Sequence, residues 1–483
     1  MPAPLSAGSR GGILSAMPIV LPFRAVRPAG AADPSPRLSP PYDVISPEER
    51  ARLAVDPFNA VHLELPADDA GAGSRYQAAR RTLDSWLAGG ALARDAAPSF
   101  YAYEQRFTHG GRERVRRGFF GLLELRPFGE GGVFAHEKTL DAPKEDRFRL
   151  LEATRTNLSP VFVLYEDDQG AVRAATDAAR ACKPLARAKT AEGEEGLWAI
   201  ESGDTDTIAR TLRSQALVFA DGHHRYESAL RYRAQRRAEE PDAPYPQAYD
   251  FMLACFVEAS DPGLLVLPTH RVVRGLPPFT MADIAAKLDG TFRLEGLGDC
   301  IDPSCAAWRA EAFLANHPAG AFVAITANER VLSGFVLDPH VRDKAFQGRD
   351  VPQALQALDV VQLHELVLGG ALGITPEKLS AQSHVEYVKS MSDAVSAVRG
   401  GGAGAVAGAA GALAPNAAFL MNATPVAQVL EVARANVRMP QKSTYFLPKI
   451  TTGWTFHVHG APSEVWGEGA QSHAWWPAQV PSA

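Results

Sequence analysis

Leu217-Val-Phe-Ala-Asp-Gly-His-His-Arg-Tyr-Glu227 reads as a buried strand that passes through a tight glycine turn into a helix. Leu217, Val218 and Phe219 form a short apolar run. Gly222 enters left-handed backbone without a Cβ penalty, and Tyr226, Ala229, Leu230 and Ala234 then recur at helical spacing. Asp221 to Arg225 therefore gather at a helix N-terminus. Unpaired backbone N–H groups and the positive end of the helix dipole attract anions there, and His223, His224 and Arg225 add donors suited to phosphate. The plainer alternative is that Asp221 caps the helix and the histidines are ordinary surface residues.

Outward from this junction the chain alternates strands and helices. Helices are expected at Pro47 to Val55 behind a Ser46 cap, Tyr76 to Leu87, Asp146 to Thr154, Ala171 to Cys182, near Met281 to Leu288 and Cys305 to Ala315, and from Gln353 to Leu368. Phe100 to Phe107 and Val115 to Leu125 flank Thr108 to Gly111 as a hairpin, and further strands fall at Pro160 to Tyr165, Phe251 to Glu258, Leu264 to Val273, Ala321 to Thr326 and Val331 to Leu337. Lys183 to Gly203, charged and Gly-containing, reads as an irregular connection, and Gly400 to Ala412 as a low-complexity loop. The expected fold class is α+β or α/β, a mixed sheet with flanking helices. The expected divisions are a non-native or disordered extension over 1–16, an N-terminal α+β part over 17–203, a C-terminal α+β part over 204–457 carrying the glycine turn, and a loose tail over 458–483.

With 483 residues the chain exceeds the size at which one hydrophobic core keeps growing, so two domains or one elaborate domain are expected. A net charge of −6 argues against a nucleic-acid partner, because such affinity comes from many Lys and Arg neutralising phosphates. The arginine runs at 112–117 and 231–237, accompanied by Glu113 and Glu239, read as solvated faces. No apolar stretch approaches the roughly 20 residues that cross a bilayer. The expected location is the cytoplasm: Cys182, Cys255, Cys300 and Cys305 form no Cys-x-x-Cys pair and suit buried thiols in a reducing compartment.

Ala220-Asp-Gly-His-His-Arg-Tyr-Glu227 resembles the signature of a bacterial family, the domain of unknown function numbered 1015. Further matching segments run in order: Pro40-Pro-Tyr-Asp-Val-Ile-Ser46, Asn59 with His62, His136-Glu-Lys-Thr139, Pro143-Lys-Glu-Asp-Arg147, Leu267-Pro-Thr-His-Arg271, Leu358-Asp-Val360 and Met439-Pro-Gln-Lys-Ser-Thr-Tyr-Phe446. The turn itself is similar to the phosphate-binding turn of the ParB and sulfiredoxin superfamily, which includes free serine kinases. That resemblance implies a phosphate-binding turn set in a larger, elaborated fold.

Phosphoryl transfer needs a positioned hydroxyl, a base for its proton and cations for the transferring oxygens. The segment from His136 to Arg147 supplies these types, and Glu137 is the expected base; the order of acid before turn matches the resembled serine kinases. Catalytic residues are thus expected at Glu137, Asp221, His223 and His224. Phosphate or substrate contacts are expected from Gly222, Arg225, His136, Lys138, Lys144, Arg147, His270, Arg271, Lys442, Ser443 and Thr444, where Lys442 and Lys449 bracket an extended segment. Surface ion pairs and a plain strand are the alternatives for these groups. Magnesium is expected through Asp221 and substrate phosphates, since that ion commonly takes one or two carboxylates. The residues themselves argue only for an anion site with acid-base groups; the resemblance to the free serine kinases implies a phosphotransferase acting on a small hydroxylated metabolite, with serine and phosphoserine as the pair and a nucleotide or pyrophosphate as donor. A phosphoserine phosphatase on the same site, a non-catalytic nucleotide-binding regulatory module and an assembly protein are the alternatives.

Overall fold

The computed structural model describes residues 17–30, 33–67, 73–137, 141–288, 290–300, 302–399 and 413–477. Nine strands build the main sheet: β1 (Val20–Leu21), β2 (Tyr101–His109), β3 (Arg112–Glu124), β4 (Val133–Phe134), β5 (Val161–Tyr165), β6 (Ala186–Lys189), β7 (Gly193–Ala199), β8 (Leu217–Asp221) and β9 (Phe251–Glu258). Their order is β4-β8-β5-β9-β3-β2-β7-β6, with β1 beside the end of β3. The β8–β4 and β9–β5 pairs are parallel and the others antiparallel, so the sheet is mixed. The central strands read as continuous apolar runs because both faces are covered. Every residue of β5 and β9 is buried.

Four helices flank this sheet: α1 (Asp141–Thr154), α2 (Ala171–Arg180), α3 (Ser202–Leu212) and α4 (His223–Glu239). α1 lies along α4. A second, antiparallel sheet runs in the order Phe292–Asp299, Val331–Leu337, Ala321–Thr326, Pro415–Met421, His270–Arg274, Val385–Val388. Leu265–Leu267 pairs antiparallel with Tyr445–Leu447 and stitches the approach to the second sheet onto the C-terminal segment. Phe219 of β8 and Phe322, Phe335 and Phe419 of the second sheet belong to one continuous core.

Several expectations need correction. A division at residue 203 would cut the main sheet, because β8 and β9 pair with β5 and β3 from before it. Lys183 to Gly203 is not an irregular connection but contains the β6–β7 hairpin at the sheet edge. Its charges point outward at Lys189 and Glu194, as charged side chains on edge strands do, while Leu197 and Trp198 are buried. Leu264 to Val273 is two strands, broken where Pro268 withholds an N–H. Gln353 to Leu368 is two short helical turns followed by a π-helical stretch, Leu363–Ala371.

The tail is not loose as far as residue 477. His457–Val458 pairs with Thr156–Asn157, and Trp466 and Trp475 are 1% and 3% exposed. Large aromatic area, not periodicity, holds it. The cysteines are not all thiols: Cys300 and Cys305 are joined, Cys182 is exposed and Cys255 buried. Residues 1–16 and the glycine-rich tract at 400–412 lie outside the described residues.

Glu195 of β7 ties the sheet edge to the C-terminal segment. Its carboxylate accepts hydrogen bonds from Tyr103 Oη (2.7 Å), Gln105 Nε2 (3.0 Å), Thr451 Oγ1 (2.6 Å) and Trp454 Nε1 (2.6 Å), and the residue is 4% exposed. A glutamine offers one oxygen where two are used and brings an N–H group of its own. Glu195→Gln is therefore expected to cost about 1–3 kcal/mol, read as a lower denaturant midpoint at unchanged slope; an unchanged midpoint would refute this role.

Candidate functional site

The turn after β8 is where the C-terminal segment meets the main sheet. Pairing of β8 with β5 slips between Phe219 and Asp221, and this irregularity re-aims Asp221 at the end of the strand. Gly222 follows with φ +89°, a conformation that a Cβ would strain, and a Cβ there would also sit 2.7 Å from Val161 Cγ1. Among the described residues no N-cap side-chain hydrogen bond is made to α4, whose N-cap is Gly222. Asp221 Oδ1 instead accepts the N–H of Gly222 at 2.8 Å, so the capping alternative does not hold.

Asp221 Oδ2 accepts from Lys449 Nζ at 2.9 Å, with Arg225 Nη2 at 3.8 Å. Both cations lower the Asp221 carboxyl far below the ordinary range against the opposing effect of burial. Asp221 raises Lys449 in turn. Arg225 is turned inward as well: Nη1 donates to Ser159 Oγ (3.0 Å) and Pro160 O (2.7 Å). It organises the turn and does not present itself as the expected phosphate donor.

Glu137 reaches the same place from the other side. Met439 N donates to His136 O at 2.7 Å, and Lys442 N donates to Glu137 Oε1 at 2.8 Å. Desolvation raises the Glu137 carboxyl above its ordinary value, helped by the charge of Asp221. His136 donates from Nδ1 to Phe219 O, which leaves Nε2 to accept from Thr444 Oγ1 at 2.8 Å. Burial lowers His136 to about 4, so it is neutral near pH 7. His223 is 9% exposed, with its ring against His136 (4.9 Å between centroids), Phe219 and Phe128, and burial drives it well below the usual histidine value. Its Nε2 is buried with no hydrogen-bond partner among the described residues. It is a core imidazole and not the solvent-facing acid or base expected. His224 is half-buried beside Lys442, Glu227 and Lys144.

Lys442 is exposed and holds φ +56°, sparsely populated for a side chain of its size. Lys449 Nζ and Lys389 Nζ stand 4.6 and 3.9 Å from the ring centre of Tyr445. The structure thus gathers Glu137, His136, Asp221, Gly222, His223, His224, Lys442 and Thr444, with Lys144 alongside, held by Glu227 at 3.2 Å. Other expected contacts lie elsewhere. Arg147 is buried against Glu64, Asp146 and the Tyr42 ring. Ser443 turns in to Pro440 O. His270 accepts from Met421 N, and Arg271 is 1% exposed; both belong to the second sheet's interior. Lys138 lies outside the described residues.

Lys449, Tyr445, Lys389, Tyr42 and Asp43 were not among the expected site residues. Tyr42 sits near Arg225 and Asp221, and its hydroxyl is raised to about 12, mainly by burial. Asp43 raises Lys449. The signal for these was the matched Pro40-to-Ser46 segment and the lysine bracket. Among the described residues no three His, Cys, Asp or Glu converge as a metal site. Asp221, with one oxygen on Gly222 and the other between two cations, does not fit the magnesium ligand expected of it.

The model of the family described as protein of unknown function (DUF1015) matches residues 20–361. The chain belongs to that family. Solved structures similar to it include a free serine kinase in complex with AMP, at 12% identity over 68% of this chain and 87% of that one, TM-score 0.28. A C-terminally truncated SbnI from Staphylococcus aureus gives 10% identity, 69% and 85% coverage and a TM-score of 0.29. A conserved hypothetical protein from Pyrococcus furiosus gives 11% identity, 68% and 92% coverage and a TM-score of 0.29. No curated protein sequence matches. Among the described residues no helix is long and apolar enough to cross a membrane.

Two predictions follow from these charges. Lys449→Met leaves Asp221 without its nearest cation and is expected to cost about 3–5 kcal/mol, whereas adding Asp221→Asn recovers most of that loss. Denaturant midpoints of the two single variants and the double variant test this, and additive losses would show that the pair is not coupled. The second concerns acid. His136, His223, His270, His364, His457 and His459 all have folded values depressed by burial. The unfolded chain therefore binds more protons below about pH 6.5, so stability falls as pH drops through that value and on toward 4. Asp221, depressed too, contributes stability that is present above about pH 4 and fades only below it. Midpoints at pH 7 and pH 5 should differ clearly; equal midpoints would contradict the burial of these imidazoles as neutral groups.

Proposed function

We propose that this protein is a phosphotransferase acting on a small hydroxylated metabolite, with Glu137 as base. One observation carries the reading. Glu137, an acid whose proton affinity burial has raised, is fixed by the Lys442 amide beside the start of α4 and the Asp221–Lys449 pair. A base that holds its proton more tightly than a solvated carboxylate suits general base catalysis nearer to neutral pH.

Glu137 Oε1 is engaged by Lys442, so Oε2 is the oxygen available to a hydroxyl. As that hydroxyl oxygen bonds to phosphorus, its proton passes to Glu137 Oε2, and the phosphorus–oxygen bond to the donor breaks with its electron pair on the leaving phosphate. Charge on the phosphoryl oxygens is met by the N–H groups at the start of α4 and by the exposed Lys442 ammonium. No step is routed through a metal. Nucleotide and pyrophosphate both suit a site flanked by Lys442 and Lys389 as donors. Serine is the first acceptor to test because of the turn's resemblance to that of the serine kinases. With water in place of the hydroxyl, the same groups would hydrolyse phosphoserine.

Phosphorus NMR on serine with ATP, ADP or pyrophosphate, and on phosphoserine in reverse, tests the proposal. Transfer to serine is the expected result. Glu137→Gln is expected to lower kcat by about 10²–10⁴ with little change in KM. The acid limb of kcat/KM should lie above the ordinary carboxylate value. A folded, ligand-binding sample that neither transfers nor hydrolyses phosphate in any pairing would favour the regulatory module, and full activity in Glu137→Gln would remove the base.

A further inference from the structure

Arg271 is an arginine 1% exposed whose guanidinium makes no ion pair among the described residues. Its donors go in three directions. Nε donates to His364 Nε2 at 3.2 Å, Nη1 to Thr269 O, and Nη2 to the carbonyl of Lys442 at 3.1 Å. Burial lowers it to about 10, which leaves it charged at neutral pH, and its ring neighbour is Tyr387 at 5.4 Å. His364 lies on the π-helical stretch Leu363–Ala371, accepts from Arg271 Nε, and is held well below the usual histidine value by burial. A buried cation held this way is costly, so its geometry has a use.

That use is visible in the Lys442 peptide units. The Lys442 carbonyl is taken by Arg271 and the Lys442 N–H by Glu137 Oε1. One residue in left-handed backbone, φ +56°, is gripped at both ends. Both grips act on a residue in a backbone region sparsely populated by non-glycine side chains, which persists where the surrounding structure over-determines it. The flanking Met439 N to His136 O and Thr444 Oγ1 to His136 Nε2 bonds fix the same loop to the segment carrying Glu137.

We infer that Arg271 is a positioning residue: through the Lys442 backbone it sets where the Glu137 carboxylate stands and where the Lys442 ammonium projects. This rests on the proposed phosphotransferase reading, but only in what the carboxylate is for. The second sheet thereby acts on the site without supplying a group that touches substrate. Lysine at 271 cannot replace the arginine, because one ammonium cannot reach His364, Thr269 O and Lys442 O at once.

The test uses the full chain. In Arg271→Lys, Glu137 loses a well-held amide donor that favours its charged form, so its carboxyl, followed by carbon-13 NMR and identified by its disappearance in Glu137→Gln, is expected to titrate higher than in the wild type. With an active wild type, kcat should fall about a hundredfold while donor KM moves little, the pattern of a misplaced reacting group. Guanidinium ion added to Arg271→Ala should restore part of the rate. A folded Arg271→Lys whose Glu137 titrates as in the wild type overturns the inference. If the wild type turns over no substrate pair, the functional reading fails, and the titration still decides the positioning role. Amide exchange gives a measurement that needs no variant at 271: the Lys442 N–H should exchange slowly although the residue is exposed, and should do so equally in Lys442→Gly, which keeps both backbone groups. Fast exchange in the wild type would overturn the clamp.

Discussion

The ion pair between Asp221 and Lys449 is the constraint on which the rest of the site depends. A carboxylate at the end of a strand in a nearly closed turn is costly to bury unless a cation meets it. Arg225 helps from within the turn, but its guanidinium is already committed to Ser159 and Pro160. Lys449 must therefore come from the C-terminal segment, and bringing it in also brings Tyr445, Thr444 and Lys442 over β8. The Glu137 carboxylate is then close enough to feel both members of the pair. Anchoring at Glu195, whose carboxylate holds Thr451 and Trp454 a few residues further on, keeps that segment at the right height.

Much of the fold was legible. Apolar runs placed β5, β8 and β9, glycine punctuation placed the β2–β3 hairpin, and the glycine turn into α4 was read to the residue. What failed has a common cause. In β6–β7 the charges of an edge strand resemble those of a loop, because of its charged side chains only Glu195 is buried and nothing local announces its four donors. The tail from His457 to Trp475 is held by large aromatic groups with no period to detect. Pro268 and the π-helical stretch break elements whose side-chain pattern looks continuous.

At the site, residue types were legible but their directions were not. His136 and His223 are adjacent in space, and both are enclosed among aromatic rings and neutral. Arg147, Arg225 and Arg271 look alike in sequence, as cations beside acids or hydroxyls. Three-dimensional burial makes all of them internal fasteners, each holding backbone oxygens or carboxylates. Lys442 and Lys449 bracket the same short stretch, and only the fold shows that one faces solvent while the other seals Asp221. That distinction depends on which face the segment turns toward β8, a long-range fact with no local signature.

The bridge between Glu137 and Met439 joins residues some three hundred positions apart. A chain emerging from the ribosome, N-terminus first, would complete β8 and the start of α4 long before Lys449 exists to neutralise Asp221. Until then the strand end carries a negative charge met only from within the turn by Arg225, which favours keeping it hydrated. The site is consequently a late-maturing feature, completed by a lysine 228 residues further along the chain than Asp221. A fragment trimmed at residue 361, where the family match ends, would retain every strand of the main sheet and still lack the part that turns it into a site.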